Sequence, residues 1–274
     1  IDEERMESLW DHAGGETIYD ALRPLLDGTG DVTRPHVEDI VRDFGLVAGD
    51  LALSRSEDEL SSQWSRCLDG DSRAFRVISA FWRIMECAAR ESNSELVLMD
   101  LGPNLGAINR AALIAANYVV IPLAPDLFSL RGLNNLGPSL RKWRDDWRKR
   151  RGEAADRTIS LPPGEITPIG YVVLQHAVRE SRPVKAYERW IRKIPETYRT
   201  AVLDEKPGGK QPAAADDPCC LAMLKHYRSL MPLGMEARKP MFHLRPADGA
   251  IGARVSAVRD CHRDSLPLAR KIAE

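Results

Sequence analysis

Asp100 closes a four-residue apolar run, Leu96-Val97-Leu98-Met99, and is followed by Gly102-Pro103 and then Leu105-Gly106. A carboxylate delivered by the C-terminal end of an apolar strand stands where ligands bind in open α/β sheets. There it can organise Mg2+ through water beside nucleotide phosphates. The same residue type after a strand also caps the next turn or helix. Gly102-Pro103 forces a turn, and Pro103 to Gly106 forms a loop able to sense a terminal phosphate. Two Gly-rich pieces, Gly14-Gly15 and Pro207-Gly208-Gly209-Lys210, are the candidates for a phosphate cradle. Neither sits between an apolar strand and a helix, and no Ser or Thr follows Lys210, so neither fits that task.

Charge supplies the second pointer to chemistry. The net charge is −1, but residues 1–99 carry 10 Lys/Arg against 21 Asp/Glu, whereas residues 100–274 carry 29 against 19. A basic second half points to a polyanionic partner unless the fold mixes the two surfaces. Arg189, Arg192, Lys193, Arg199, Lys225 and Arg228 are the candidate phosphate contacts, which would make binding steeply salt-dependent. The basic stretch from Arg141 to Arg151 reads as a solvated helix face. Five cysteines without a CxxC pair argue against a disulfide framework or zinc site and fit a reducing cytoplasm. The six tryptophans read as packing anchors.

The elements that must position Asp100 follow from periodicity. Ile18, Ala21, Leu22 and Leu25 recur at helical spacing, as do Phe75, Ile78, Phe81, Trp82 and Met85 in one helix from 75 to 90. Phe44 to Asp50 reads as a short buried strand, and Leu96 to Met99 as a strand buried on both faces. Helix over 107–116, strand over 118–122, helix over 127–151, strand over 169–174 and helix over 185–194 then alternate. Met241 to Leu244 reads as a short last strand before a final helix over 251–273. Alternating strands and helices imply an α/β domain with a mostly parallel sheet flanked by helices, read as one domain over 1–274. Surface insertions are expected at 152–165 and 204–218. No apolar run reaches the length of a membrane-spanning helix.

The stretch from Leu96 to Leu133, with Asp-x-x-Pro-x-x-Gly, Asn-Arg-Ala-Ala-Leu and Ser129-Leu130-Arg131-Gly132-Leu133, resembles the Walker B and switch II region of ParA/MinD-type P-loop ATPases. Thr17 to Leu22, Gly45 to Asp50, Glu236 to Met241 and Arg245 to Ala250 resemble further segments of that family, so the likeness runs from about Thr17 to Glu274. It implies that Asp100 organises Mg2+ and water, with Pro103 and Gly106 in the switch loop. It also implies that Gln175, His176, Pro246 and Asp248 border the nucleotide base. His176 could instead bind a neighbouring loop, and Pro246 could merely end a strand. In the family ATP joins two protomers as a homodimer, the dimer binds DNA non-specifically, and a ParB-like protein stimulates hydrolysis. The resemblance implies a cytoplasmic, nucleoid-associated ATPase of plasmid or chromosome partition or of cargo positioning. A non-catalytic DNA- or partner-binding relative and a MinD-like membrane-positioning ATPase are the alternatives.

The family's opening strand, its K-G-G-x-x-K-T loop and the strand ending in D-x-D-P do not occur in these 274 residues. Ile1 in place of Met suggests a fragment, a processed product or an incomplete gene reading. Without a strand–helix–strand unit beside it, Leu96 to Met99 is expected to present an unpaired apolar edge. The chain alone is therefore expected to aggregate and not to hydrolyse ATP.

Overall fold

The computed structural model describes the chain except residues 1–2, 12–14, 177, 180–181, 184, 210–211, 228, 251 and 274, and the side chains of residues 175–186 lie outside the description. The contacts divide the chain into two compact units, one of residues 1–118 with 140–167 and one of residues 119–139 with 168–274.

The first unit is helical. It holds α1 (Glu3–Leu9), α2 (Ile18–Leu26), a hairpin of β1 (Glu38–Val41) and β2 (Phe44–Leu46), then α3 (Glu57–Arg66), α4 (Ser72–Ile78), α5 (Ala80–Glu91) and α6 (Ala107–Ala115). Thr17 caps α2 by a reciprocal pair of bonds with Asp20, so the helix starts where the apolar period begins. The helix expected over 75–90 is broken at Ser79, whose hydroxyl donates back to the Phe75 carbonyl at 2.7 Å. Ser79, at φ −87° and ψ 3°, closes α4 and opens α5. Phe75, Val77, Ile78, Phe81 and Ile84 are buried on both sides of this break.

Two strand expectations in this unit are corrected. Residues 44–50 do not form a buried strand, because Phe44, Gly45 and Leu46 lie exposed in the antiparallel hairpin. Residues 96–99 form no strand. Leu96, Val97 and Leu98 are exposed, Leu98 at 72%. Among the described residues no strand pairs with this segment. A strand exists only through its ladder, so an apolar run without a neighbour is not one.

β3 (Tyr118–Leu123) and α7 (Leu127–Glu153) each carry the chain from one unit to the other. The later half of α7 belongs to the first unit and buries Trp147 against Trp64, ring centroids 6.1 Å apart and 16° from parallel, with Phe75 also at 6.1 Å. Residues 152–165 fold back onto this cluster. Trp147 donates its indole N–H to the Pro162 carbonyl at 3.0 Å. Gly164 has φ +67°, and a Cβ there would lie 2.1 Å from Trp147 Cδ1. Only glycine meets both the left-handed backbone and the close ring.

The second unit contains the sheet. After β3 come β4 (Thr167–His176), the short pair β5 (Val178–Arg179) and β6 (Arg182–Pro183), α8 (Lys185–Ile191), α9 (Ile194–Thr197), β7 (Cys220–Lys225), α10 (Leu230–Ala237) and α11 (Ala253–Ala273). The order β3-β4-β7 makes a three-stranded parallel sheet, with Tyr171 opposite Cys220 and Val173 opposite Met223. Ile121, Leu123, Tyr171 and Val173 pack with Leu130, Leu133, Ile194, Tyr198 and Val202 into one core. Gly137 lets the backbone of Ala201 approach, since a Cβ would stand 2.0 Å from that carbonyl oxygen. On β7, Lys271 of α11 donates to the carbonyls of Cys220 and Leu221 at 3.3 and 3.0 Å. These bonds satisfy acceptors that an open edge would leave to water.

Met241–His243 is a 3-10 turn rather than the expected strand, closed by the His243 amide donating to the Pro240 carbonyl at 2.8 Å. β7 was not legible as a strand, because Cys, Ala, Met and Lys give it little β-branched character. No helix is long and apolar enough to cross a membrane among the described residues.

Candidate functional site

Asp100 and Pro103 lie exposed outside any helix or strand, Pro103 at a bend, and Gly106 is the N-cap of α6. The loop between them is tied from within. Asn104 accepts the Gly106 amide at 3.0 Å. Asn109, in the first turn of α6, donates to the carbonyls of Gly102 and Asn104, the latter at 2.8 Å. Asn109 is buried, so it draws the loop onto the helix start.

The first turn of α6 is capped from another helix. Both oxygens of the Glu57 carboxylate accept backbone amides, that of Ala107 and that of Ile108, the second at 3.1 Å. A carboxylate is the natural partner for the positive end of a helix. Glu57 was not singled out from the sequence. Its place in the acidic run Glu57-Asp58-Glu59 signals a helix start at α3, but not the second helix that it reaches.

Behind the loop, Arg110 lies over the ring of Trp64 at 4.4 Å, and Arg150 lies over the same indole at 4.1 Å. Arg150 is buried and donates to the Trp64 carbonyl at 2.8 Å. Burial first, and then the neighbouring Arg150 charge, hold Arg110 below its ordinary value. Burial pushes the adjacent Cys67 thiol up to about 12, so it stays a neutral packing group.

The remaining residues singled out from the sequence fall in the second unit. Gln175 and His176 end β4, where His176 is in register with Lys225 of β7; their side chains lie outside the described residues. Pro246 opens a 3-10 turn that ends at Asp248. Asp248 accepts from Lys239 at 2.7 Å and from the Arg245 amide at 2.9 Å, and the Lys239 bond foremost holds it below the usual carboxylate range. Arg189, Arg192 and Lys193 are exposed close together in sequence, at and just beyond the end of α8. Arg189 and Lys193 lie 4.5 and 5.4 Å from the Trp190 ring, and Arg192 pairs with Glu188 at 2.9 Å. Arg199 and Lys225 are engaged elsewhere. Arg199 forms a two-pronged pair with the fully buried Asp217 carboxylate, at 2.5 and 3.2 Å. Lys225 pairs with Asp260 at 3.0 Å and Asp264 at 3.5 Å. Arg228 lies outside the described residues.

An ATP–Mg2+ complex needs a ring of backbone amides, a lysine and a hydroxyl beside the metal-organising carboxylate. The described residues fit only the carboxylate and its loop. The amides that open α6 are taken by Glu57. Among the described residues no group of three or more His, Cys, Asp or Glu is placed to hold a metal ion. They do not make a complete nucleotide site.

The family model AAA_31, described as an AAA domain, matches residues 12–150, which is half of the chain. The chain belongs to this AAA domain family. The AAA domain match places it in the P-loop ATPase superfamily, whose members generally bind nucleotide and Mg2+. The matched span contains Asp100, Pro103, Gly106 and the Glu57 cap. The crystal structure of protein DIP2308 from Corynebacterium diphtheriae is similar in fold, with a TM-score of 0.65 and 20% identity over 97% of this chain and 84% of that one. No curated protein matches the chain.

Proposed function

We propose that this AAA domain chain carries the Walker B and switch portion of a ParA-like partition ATPase, with Asp100 organising Mg2+ and water. The observation that supports it most is the ordered loop that runs from Asp100 to a capped helix, Asp-x-x-Pro-x-x-Gly closed by Asn109 and Glu57. A loop pinned at its helix end and free at its carboxylate end suits a segment that responds to a terminal phosphate. In this reading these residues supply the metal-organising carboxylate and the switch loop, and the exposed Leu96–Leu98 segment is covered in the nucleotide-bound assembly. ATP then joins two protomers, and Arg189, Arg192 and Lys193 contact DNA phosphates. The test is affinity for random duplex DNA with and without ATP, using the full gene product. ATP-dependent, salt-sensitive binding is expected; binding that ignores both ATP and salt would remove the partition reading.

A second reading is a non-catalytic relative that binds a partner or DNA. The Glu57 carboxylate seated on the α6 amides favours it, together with the lack of K-G-G-x-x-K-T in these residues. The two readings part on nucleotide: the relative binds its partner equally well without ATP.

A further inference from the structure

The last turns of α7 and the segment that follows them border an open cleft of about 380 Å3, whose lining residues all belong to the first unit. Arg148, Arg151 and Arg157 line it, with Asp156, Ile159 and Leu161. Arg148 and Arg151 are three residues apart on α7 and so share a face. Arg157 is set by a local turn, in which Asp156 accepts the Thr158 amide at 3.0 Å and the Thr158 hydroxyl at 2.6 Å.

The charge of this cleft is not balanced by its own walls. Asp156, its single acidic side chain, already serves Thr158 and reaches Arg76 at 3.5 Å. Arg148 pairs with Asp145 at 3.2 Å. Arg151 donates to the neutral carbonyl of Pro163 at 2.9 Å, which fixes its position without cancelling its charge. Arg151 and Arg157 are both exposed. The α7 carbonyl end draws cations to this place, but half a charge offsets only part of two guanidinium ions. Planar guanidinium groups that line one cleft select oxyanions that take paired hydrogen bonds, phosphates above all.

We infer that this cleft binds a phosphate group, held by Arg151 and Arg157 with Arg148 at its rim. The phosphate belongs either to a small free phosphate ester or to a nucleic-acid backbone. The inference does not depend on Asp100 or on bound nucleotide, so it stands or falls apart from the ATPase reading.

Two probes separate the sources: inorganic pyrophosphate by calorimetry, and random duplex DNA by anisotropy across a salt series, both without nucleotide. The Arg151→Ala/Arg157→Ala variant is compared with Arg42→Ala/Arg55→Ala, which removes two exposed charges elsewhere in the same unit. Thermal unfolding confirms that both are folded, and Arg151→Lys/Arg157→Lys tests whether charge alone suffices. A free phosphate ester as ligand predicts pyrophosphate affinity lowered about tenfold or more in the cleft variant alone. A nucleic-acid ligand predicts weaker duplex binding with a salt slope reduced by about 2. Equal binding by wild type and cleft variant in both arms, an equal loss in the Arg42/Arg55 control, or no binding of either probe by wild type overturns the inference.

Discussion

The carboxylate of Glu57 fills the place where a side chain at position 106 would project: a Cβ on Gly106 would lie 2.6 Å from Glu57 Oε1. Gly106 itself has an ordinary φ of −73°, so its lack of a side chain serves this contact and not the backbone. Gly106→Ala should displace the Glu57 cap and cost about 1 kcal/mol, the usual worth of a helix cap. Glu57→Ala should cost a similar amount. Urea unfolding of the double variant tests the link, because the two losses should not add. Full additivity would mean that Glu57 does not hold α6.

Gly164→Ala should be worse than Gly106→Ala. The obstacle at Gly106 is the tip of a flexible side chain, whereas at Gly164 it is the Trp147 ring, and φ is +67°. Overpacking and backbone strain together predict a loss of roughly 2–3 kcal/mol, with a changed tryptophan emission as Trp147 shifts from Trp64. Circular dichroism and fluorescence during denaturation measure both.

Among the described residues, Asp217 is the buried carboxylate of the second unit. Burial would raise it, but Arg199, the Tyr171 hydroxyl at 2.8 Å and the Cys219 amide outweigh burial and hold it below the usual range. Asp217→Ala should cost about 3–5 kcal/mol, since it leaves Arg199 without its buried partner. A lowered folded value means that the stabilisation is complete above the ordinary aspartate range, about 3.9, and fades as pH falls through the folded value. The gap in urea midpoint between wild type and Asp217→Asn should therefore narrow only below about pH 4. A gap that narrows on raising the pH would contradict the pairing.

How much of this could be read in the sequence depends on what each residue answers to. Helices with a clear apolar stripe, such as residues 18–25 and 107–116, are legible because their period is local. Leu96 to Met99 misleads because an apolar run says strand only when a neighbour supplies the ladder. Ser79 steps off helical backbone in a run whose apolar stripe continues through it. At the site, Asp100, Pro103 and Gly106 are visible as a spaced motif, but Glu57 acts from 50 residues away through a backbone contact. Arg199 looks like any basic residue in sequence, and its commitment to Asp217 is a tertiary fact.

Asp100 is exposed, so its replacement should leave stability within about 0.5 kcal/mol of wild type. That separates its function from folding. The most direct measurement is sedimentation of the full gene product with ATP and Mg2+, wild type against Asp100→Ala, at equal thermal stability. The proposed role predicts a nucleotide-dependent dimer for wild type and only monomer for Asp100→Ala; an ATP-dependent dimer that persists in the variant would contradict it.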